Sequence, residues 1–227
     1  MNKNWLSSYP NGVPHDINPD VYPSLVEVFE ESVKKFANRP AFFNIKRSIS
    51  YAELNTYTEH FANYLLHELG LKKGDVVAIM MPNSLQYPVA LFGVLRAGLT
   101  VANVNPLYTP RELAHQVNDS GAKAIVIVEN FAHVLEEVMD VIQLKHIVTT
   151  QLADLQHQPW RTVVNVTLKH VKKMVPKFDL PNAVKFNDAL KRGGKHAFER
   201  QTVGSDDLAF LQSVSYTHLT LPTIYSV

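Results

Sequence analysis

The chain contains no cysteine, which excludes a disulfide scaffold, a thiol nucleophile and a thiolate metal site. It has almost no surplus charge, with 22 Lys and Arg against 21 Asp and Glu. Nucleic-acid binders ordinarily carry a basic excess, so no nucleic-acid partner is expected. Long apolar runs are missing too, and no stretch approaches the roughly 18 residues of a membrane-spanning helix. No apolar run follows Lys3, so the N-terminus does not read as a signal peptide. Together with the lack of cysteine, this makes a cytoplasmic protein the expectation. Glycine is scarce, 9 in 227 residues, and no Gly-x-Gly pair occurs, so the dinucleotide-binding fingerprint is absent.

What is present is a regular alternation. Residues 1–23, with Pro10, Pro14, Pro19 and Pro23, read as an irregular leader. Ser24-Leu-Val-Glu27 is a capping box opening a helix whose apolar stripe is Leu25, Phe29, Val33 and Phe36. Ala41–Ile45 and Ser48–Ser50 suit a hairpin. Ser50-Tyr-Ala-Glu53 caps a second helix, with Leu54, Phe61, Leu65 and Leu69 on one face and Gly70 as its stop. Asp75–Met81 is a continuous apolar run, as in a strand buried on both faces. A helix over 84–97, a strand over 99–104, a helix over 109–120 capped by Thr109-Pro-Arg-Glu112, a strand over 124–128, a helix over 131–142 and a strand over 146–149 follow. Strands alternating with helices imply right-handed parallel crossovers. The predicted fold is therefore α/β, a doubly wound, mostly parallel sheet with flanking helices. Residues 150–205 are less regular. Within them Val164, Leu168, Val171 and Val175 form a stripe opposite Lys169, Lys172 and Lys173, a basic amphipathic helix ended by Pro176. It packs on the sheet domain as a surface helix, or it touches a membrane peripherally over 162–175.

Chemistry is harder to find. Gly93-Val-Leu-Arg-Ala-Gly98-Leu99-Thr100 has the glycine spacing of a phosphate-binding Walker loop. Leu99 stands where the phosphate-pairing lysine belongs, and both glycines fall in or just after a predicted helix. The histidines are scattered without metal-ligand spacing, and His115 reads as a surface or core-edge residue. Asn165-Val-Thr167 is a glycosylation sequon that matters only in a secreted chain. Ser84 follows a strand and precedes a helix, yet lacks the glycines of a nucleophile elbow, and is read as a helix N-cap. The βα repeat alone also suits a receiver-like or flavodoxin-like domain, but Asp75–Met81 runs into Pro82-Asn83 with no phosphate-accepting Asp.

Several segments agree in order and spacing with one family. Ile49-Ser-Tyr-Ala-Glu-Leu54, Gly74-Asp-Val-Val-Ala-Ile-Met-Met-Pro-Asn83, Val94-Leu-Arg-Ala-Gly98 and Asn103–Leu113 resemble the N-terminal region of the AMP-forming acyl-CoA synthetases. Asn118-Asp-Ser-Gly-Ala122, residues 162–177 and Asp206–Gln212 resemble its bacterial long-chain fatty-acid–CoA ligase branch. The likeness covers residues 1–212. It implies the N-terminal part of an enzyme that adenylates a fatty acid with ATP and Mg²⁺ and passes the acyl group to coenzyme A. It also implies pairing of two copies, while the basic helix over 162–175 leaves peripheral contact with the inner membrane as one reading of its lysines. The family's phosphate loop, adenine pocket, magnesium carboxylate and catalytic lysine would all follow Gln212. No catalytic, cofactor-binding or metal-ligating residue is therefore assigned to any position, and the chain alone is expected to be inactive. Residues 213–227 hold no Asp, Glu, Lys or Arg and resemble a translated transposon-type sequencing adaptor, a tail foreign to the family. A non-catalytic α/β binding or dimerisation module is the alternative.

Overall fold

The computed structural model describes residues 4–212. Two sheets form. β1 (Pro40–Asn44) and β2 (Arg47–Ser50) make an antiparallel hairpin. Its tight turn requires Ile45 to adopt φ 56°. The main sheet comprises β3 (Val76–Met80), β4 (Thr100–Asn103), β5 (Ala122–Val128), β6 (His146–Thr150), β7 (Val184–Lys185) and β8 (Phe210–Gln212). Its order is β7-β6-β5-β3-β4-β8, every neighbour parallel. The doubly wound parallel sheet predicted from alternation is the sheet observed.

The helices are α1 (Leu25–Phe36), α2 (Tyr51–Asn63), α3 (Gln86–Arg96), α4 (Pro110–Ser120), α5 (Ala132–Glu136), α6 (Trp160–Val166) and α7 (Phe186–Gly193). Strand side chains alternate between two cores, as the pleat demands. Val77, Ile79, Val126 and Val148 face a core shared with α2, α3 and α7. Ala78, Met80, Ile125 and Ile127 face the core under α4 and α5. That is why these strands read as unbroken apolar runs.

Local signals start and stop the helices. Ser50 and Thr109 each complete a reciprocal capping box, with Glu53 and Glu112. Pro110 occupies the first turn of α4, and Gly121 ends it at φ 64°. Replacing Thr109 with Ala is expected to cost about 1 kcal/mol in urea unfolding, and with Gly only about a few tenths of a kcal/mol. Equal stability of Thr109→Ala and the parent would remove the cap from the account.

Four expectations need correction. Leu25 on α1 is exposed, and Val26 joins Phe29 in the core instead, a rotation of the stripe by one residue. The helix predicted over 131–142 ends at Glu136. Beyond it Val138, Met139 and Val141 bond three residues back, and the Val141 carbonyl accepts from Asn118 Nδ2 at 3.0 Å, so side-chain capture by α4 competes with helix continuation. In the basic helix, Val164, Leu168 and Val175 are half-buried but Val171 is 71% exposed. A wide π turn over Thr167–Val171 shifts the phase after Val166. Finally, Ser84 is not a side-chain cap. α3 begins after Leu85, and the buried Ser84 hydroxyl points to Met81 Sδ at 3.7 Å.

Candidate functional site

In an open parallel sheet, ligands bind outside the carboxyl ends of the strands, at the point where strand order reverses. Here the chain steps from β3 out to β4, then returns to β5 on the other side of β3. The crevice therefore lies between the loops after β3 and β5. This strand order also occurs in flavodoxin-like sheets, but shared order does not carry shared function.

A polar network lines the carboxyl ends of β5 and β6. Gln86, buried at the start of α3, donates through Nε2 to Thr150 Oγ1 at 3.2 Å and to the Gln151 carbonyl at 2.6 Å. Gln151 Nε2 donates to buried Glu129 at 2.8 Å. Asp154 Oδ2 accepts from the Gln151 amide at 2.8 Å and the Thr150 hydroxyl at 3.1 Å. Asn165 Oδ1 accepts from the Ala153 amide, so the sequon asparagine is turned inward to brace this loop. A small cleft of about 10 Å³, partly open to solvent, lies beside Glu129, Gln151, Asn165 and Lys169. A larger groove of about 210 Å³ lies at the opposite, amino ends of β4 and β8, where sheet architecture gives no reason to expect a substrate.

Burial raises the Asp154 carboxyl above the usual carboxylate range. The Gln151 amide, the Thr150 hydroxyl and Arg161 pull it down without overcoming burial, and the charge of Glu129 adds to the rise. A carboxyl whose folded pKa is raised weighs against folding as pH climbs from its unfolded value, about 3.9, to its folded value, and then by a constant amount. Asp154→Asn is therefore expected to gain stability relative to the parent as pH rises over that window, read as the difference between urea unfolding free energies at acid and neutral pH. A difference that shrinks as pH rises would contradict this sign.

The residues weighed from sequence fall as follows. Gly93 sits inside α3 with Phe61 against it, and Gly98 is the left-handed residue between α3 and β4. The Walker-like spacing thus belongs to a helix and its stop. His115 is an exposed residue of α4. Histidines far apart in sequence do meet. The rings of His67 and His196 stack at 4.8 Å, and His196 Nε2 lies 3.0 Å from Glu68. A separation of 129 residues hides that from spacing arguments. Among the described residues no group of three or more His, Asp or Glu is placed to hold a metal.

ATP is a poor fit to these residues. Of the five left-handed glycines, Gly70, Gly74, Gly98 and Gly121 lie before β3, β4 and β5, at the amino edge of the sheet and away from the crevice, and Gly12 lies in the N-terminal leader. Among the described residues no glycine-lined set of amides faces the carboxyl edge to receive phosphate, and no step is derived through the nucleotide.

The family described as AMP-binding enzyme matches residues 29–216. The chain belongs to the AMP-binding enzyme family. It is 53% identical over 212 residues to a long-chain-fatty-acid–CoA ligase of Escherichia coli O6:H1, covering 93% of this chain and 38% of that protein. It is 46% identical over the same length to the Haemophilus influenzae enzyme of that name. The chain thus spans 38% of the length of these two curated relatives. Among solved structures, a long-chain-fatty-acid-CoA ligase from Archaeoglobus fulgidus aligns at TM-score 0.65 and 20% identity over 89% of this chain and 36% of that one. An anthranilate CoA ligase aligns at 0.66 and 19% over 86% and 31%. These two show the fold of this AMP-binding family member. Its polar network at the carboxyl edge was not anticipated from sequence, because Gln86, Glu129 and Asp154 carry no motif. Among the described residues, no helix is long and apolar enough to cross a membrane.

Proposed function

We propose that the chain is the N-terminal part of a long-chain fatty-acid–CoA ligase. In the whole enzyme, ATP with Mg²⁺ would activate a fatty acid as its acyl-adenylate, and coenzyme A would take the acyl group. Adenylation matters because a free carboxylate is a poor electrophile, and the adenylate supplies a leaving group whose charge must be neutralised. The observation carrying this reading is the 212-residue match at 53% identity. By itself the chain is read as inactive, because Gly70, Gly74, Gly98 and Gly121 lie at the amino edge of the sheet, away from the crevice. Peripheral membrane contact through residues 162–175 is part of the reading, as acyl chains partition into bilayers.

Residues 213–227 lie outside the described residues. We read them as foreign to the domain, although the family match extends to residue 216. The test replaces them. Residues 1–212 joined to the remainder of the E. coli relative are expected to catalyse palmitate-dependent ATP–pyrophosphate exchange, while the 227-residue chain gives none. A folded chimera without exchange, or exchange by the short chain, would overturn the proposal.

A further inference from the structure

The first turn of α3 grips the carboxyl edge of the sheet at two places. Gln86 holds the end of β6, through Thr150 and Gln151. Its neighbour Tyr87 holds the end of β4, where its hydroxyl donates to Asn103 Oδ1 at 3.1 Å. Burial raises the Tyr87 pKa against the pull of that bond, so the hydroxyl stays a donor at neutral pH. Asn103 carries the grip on to β8. Its Nδ2 donates to Gln212 Oε1 at 3.0 Å, and the two residues are partners in the parallel register. From α4, on the opposite face, Gln116 Nε2 donates to the Asn103 carbonyl at 2.7 Å. Asn103 is thus fixed through both side chain and main chain. Gln86 Oε1 and Gln116 Oε1 are buried with no partner among the described residues, so each glutamine holds its strand end while leaving a costly unmatched acceptor.

β8 is three residues long. Its backbone ladder aligns it with β4 but does not set the direction in which the chain leaves its last residue. The Asn103–Gln212 bond does, because it fastens the side chain of that residue. The exit lies on the carboxyl edge, two strand positions from β3, or roughly 10 Å from the crevice at ordinary strand spacing. Among the described residues no glycine-lined amides face that edge. Under the functional reading, the nucleotide phosphates are therefore met by chain beyond Gln212, and this chain is 38% of the length of its E. coli relative.

We propose that Asn103 is a positioning residue for nucleotide binding. Held by Tyr87 and Gln116, it fixes the exit of β8 at Gln212 and so aims the following segment at the crevice. The inference rests on the ligase reading and adds to it the residue that orients the nucleotide-binding segment.

Kinetics of the chimera of residues 1–212 with the remainder of the E. coli relative separate positioning from stability. In palmitate-dependent pyrophosphate exchange, Asn103→Ala should raise KM for ATP at least about tenfold, the worth of two neutral hydrogen bonds. KM for palmitate should stay within about twofold of the parent, whereas a residue that only stabilised the fold would lower the active fraction and leave both KM values alone. Tyr87→Phe removes one of the two bonds and should raise KM for ATP about threefold. It keeps the test decisive if the alanine variant does not fold. Thr100→Val cuts the tether at the other end of the same strand pair, where Thr100 Oγ1 donates to the Leu208 carbonyl at 2.9 Å. It should leave KM for ATP within about twofold. In the 227-residue chain, where no activity is needed, Asn103→Ala should quicken hydrogen exchange over Phe210–Gln212 at least about fivefold, and not over β3 or β5. Parental KM for ATP in both edge variants overturns the proposal and leaves the ligase reading standing. So does an equal rise in Thr100→Val, or hydrogen exchange that is unchanged or quickens throughout the sheet. A folded parent chimera without pyrophosphate exchange removes the reading, and the nucleotide role of Asn103 with it.

Discussion

Replacing Gly193 with alanine is expected to detach α7 from α2 and to cost at least about 3 kcal/mol, the upper end for overpacking a close contact. A Cβ on Gly193 would overlap the carbonyl oxygen of His60 and lie 2.8 Å from both the His60 carbonyl carbon and the Tyr64 amide nitrogen. Those are backbone atoms, and the His60 carbonyl already accepts from the Tyr64 amide, so neither can swing aside. The contact is held from the other side by Asn63, whose Nδ2 donates to the carbonyls of Gly193 at 3.2 Å and His196 at 2.8 Å. Losing it would expose Phe186, Ala189 and Leu190, which pack beneath α7 with Phe186 at 5.0 Å from the Phe61 ring. Gly194 is the internal comparison. The atoms nearest its Cβ would be those of the His60 ring, from 2.9 Å, and a side chain can rotate, so Gly194→Ala should cost less. Gly204→Ala meets nothing within 4 Å and should be near neutral. Urea unfolding of the three variants reads the ranking directly, and a Gly193→Ala loss under about 1 kcal/mol would mean the two helices have room to part.

Much of this fold can be read from short-range chemistry. Ser50 with Glu53, and Thr109 with Glu112, announce helix starts three residues ahead. Gly98 and Gly121 mark stops because the left-handed turn needs no Cβ. The continuous apolar runs of β3 and β5 report a sheet covered on both faces. The misreadings arise where a distant partner overrides the local pattern. The carbonyl of Val141 is taken by Asn118, and the phase of the basic helix slips at its π turn.

The candidate site was less legible than the fold. The network of Gln86, Glu129, Gln151 and Asp154 joins residues up to 68 positions apart in sequence, and amides in it have no characteristic spacing. Motif reading was more reliable in rejecting sites. The spacing of Gly93 and Gly98 resembles a phosphate loop, but one glycine lies in a helix and the other at the amino edge of the sheet. The likeness to the AMP-binding family rests largely on residues that build architecture.

Arg96, in the middle of one of those segments, makes that point testable. It is 3% exposed, and its guanidinium joins three parts of the chain. Nη1 donates to Thr58 Oγ1 at 2.8 Å and to Asn55 Oδ1 at 3.0 Å, and Nη2 to Glu59 at 3.2 Å, all on α2. Glu30 of α1 lies 3.7 Å away. The planar group is sandwiched toward the rings of Phe198, at 4.4 Å, and Phe29, at 5.6 Å. Burial pulls its pKa below the ordinary arginine value, while Glu59 and Glu30 push it back up. Arg96→Met should lose about 3 kcal/mol or more, because it strands buried acceptors on α2 and leaves a carboxylate without its partner. Arg96→Lys should lose nearly as much, since an ammonium cannot span Thr58, Asn55 and Glu59 at once. Glu59→Gln, at a side chain 30% exposed, should cost under about 1 kcal/mol. In a double-mutant cycle Arg96 and Glu59 should then show weak coupling, placing most of the arginine's worth in the neutral acceptors and the two rings. A stable Arg96→Met variant would refute the clamp. Strong coupling to Glu59 would move the weight onto the ion pair.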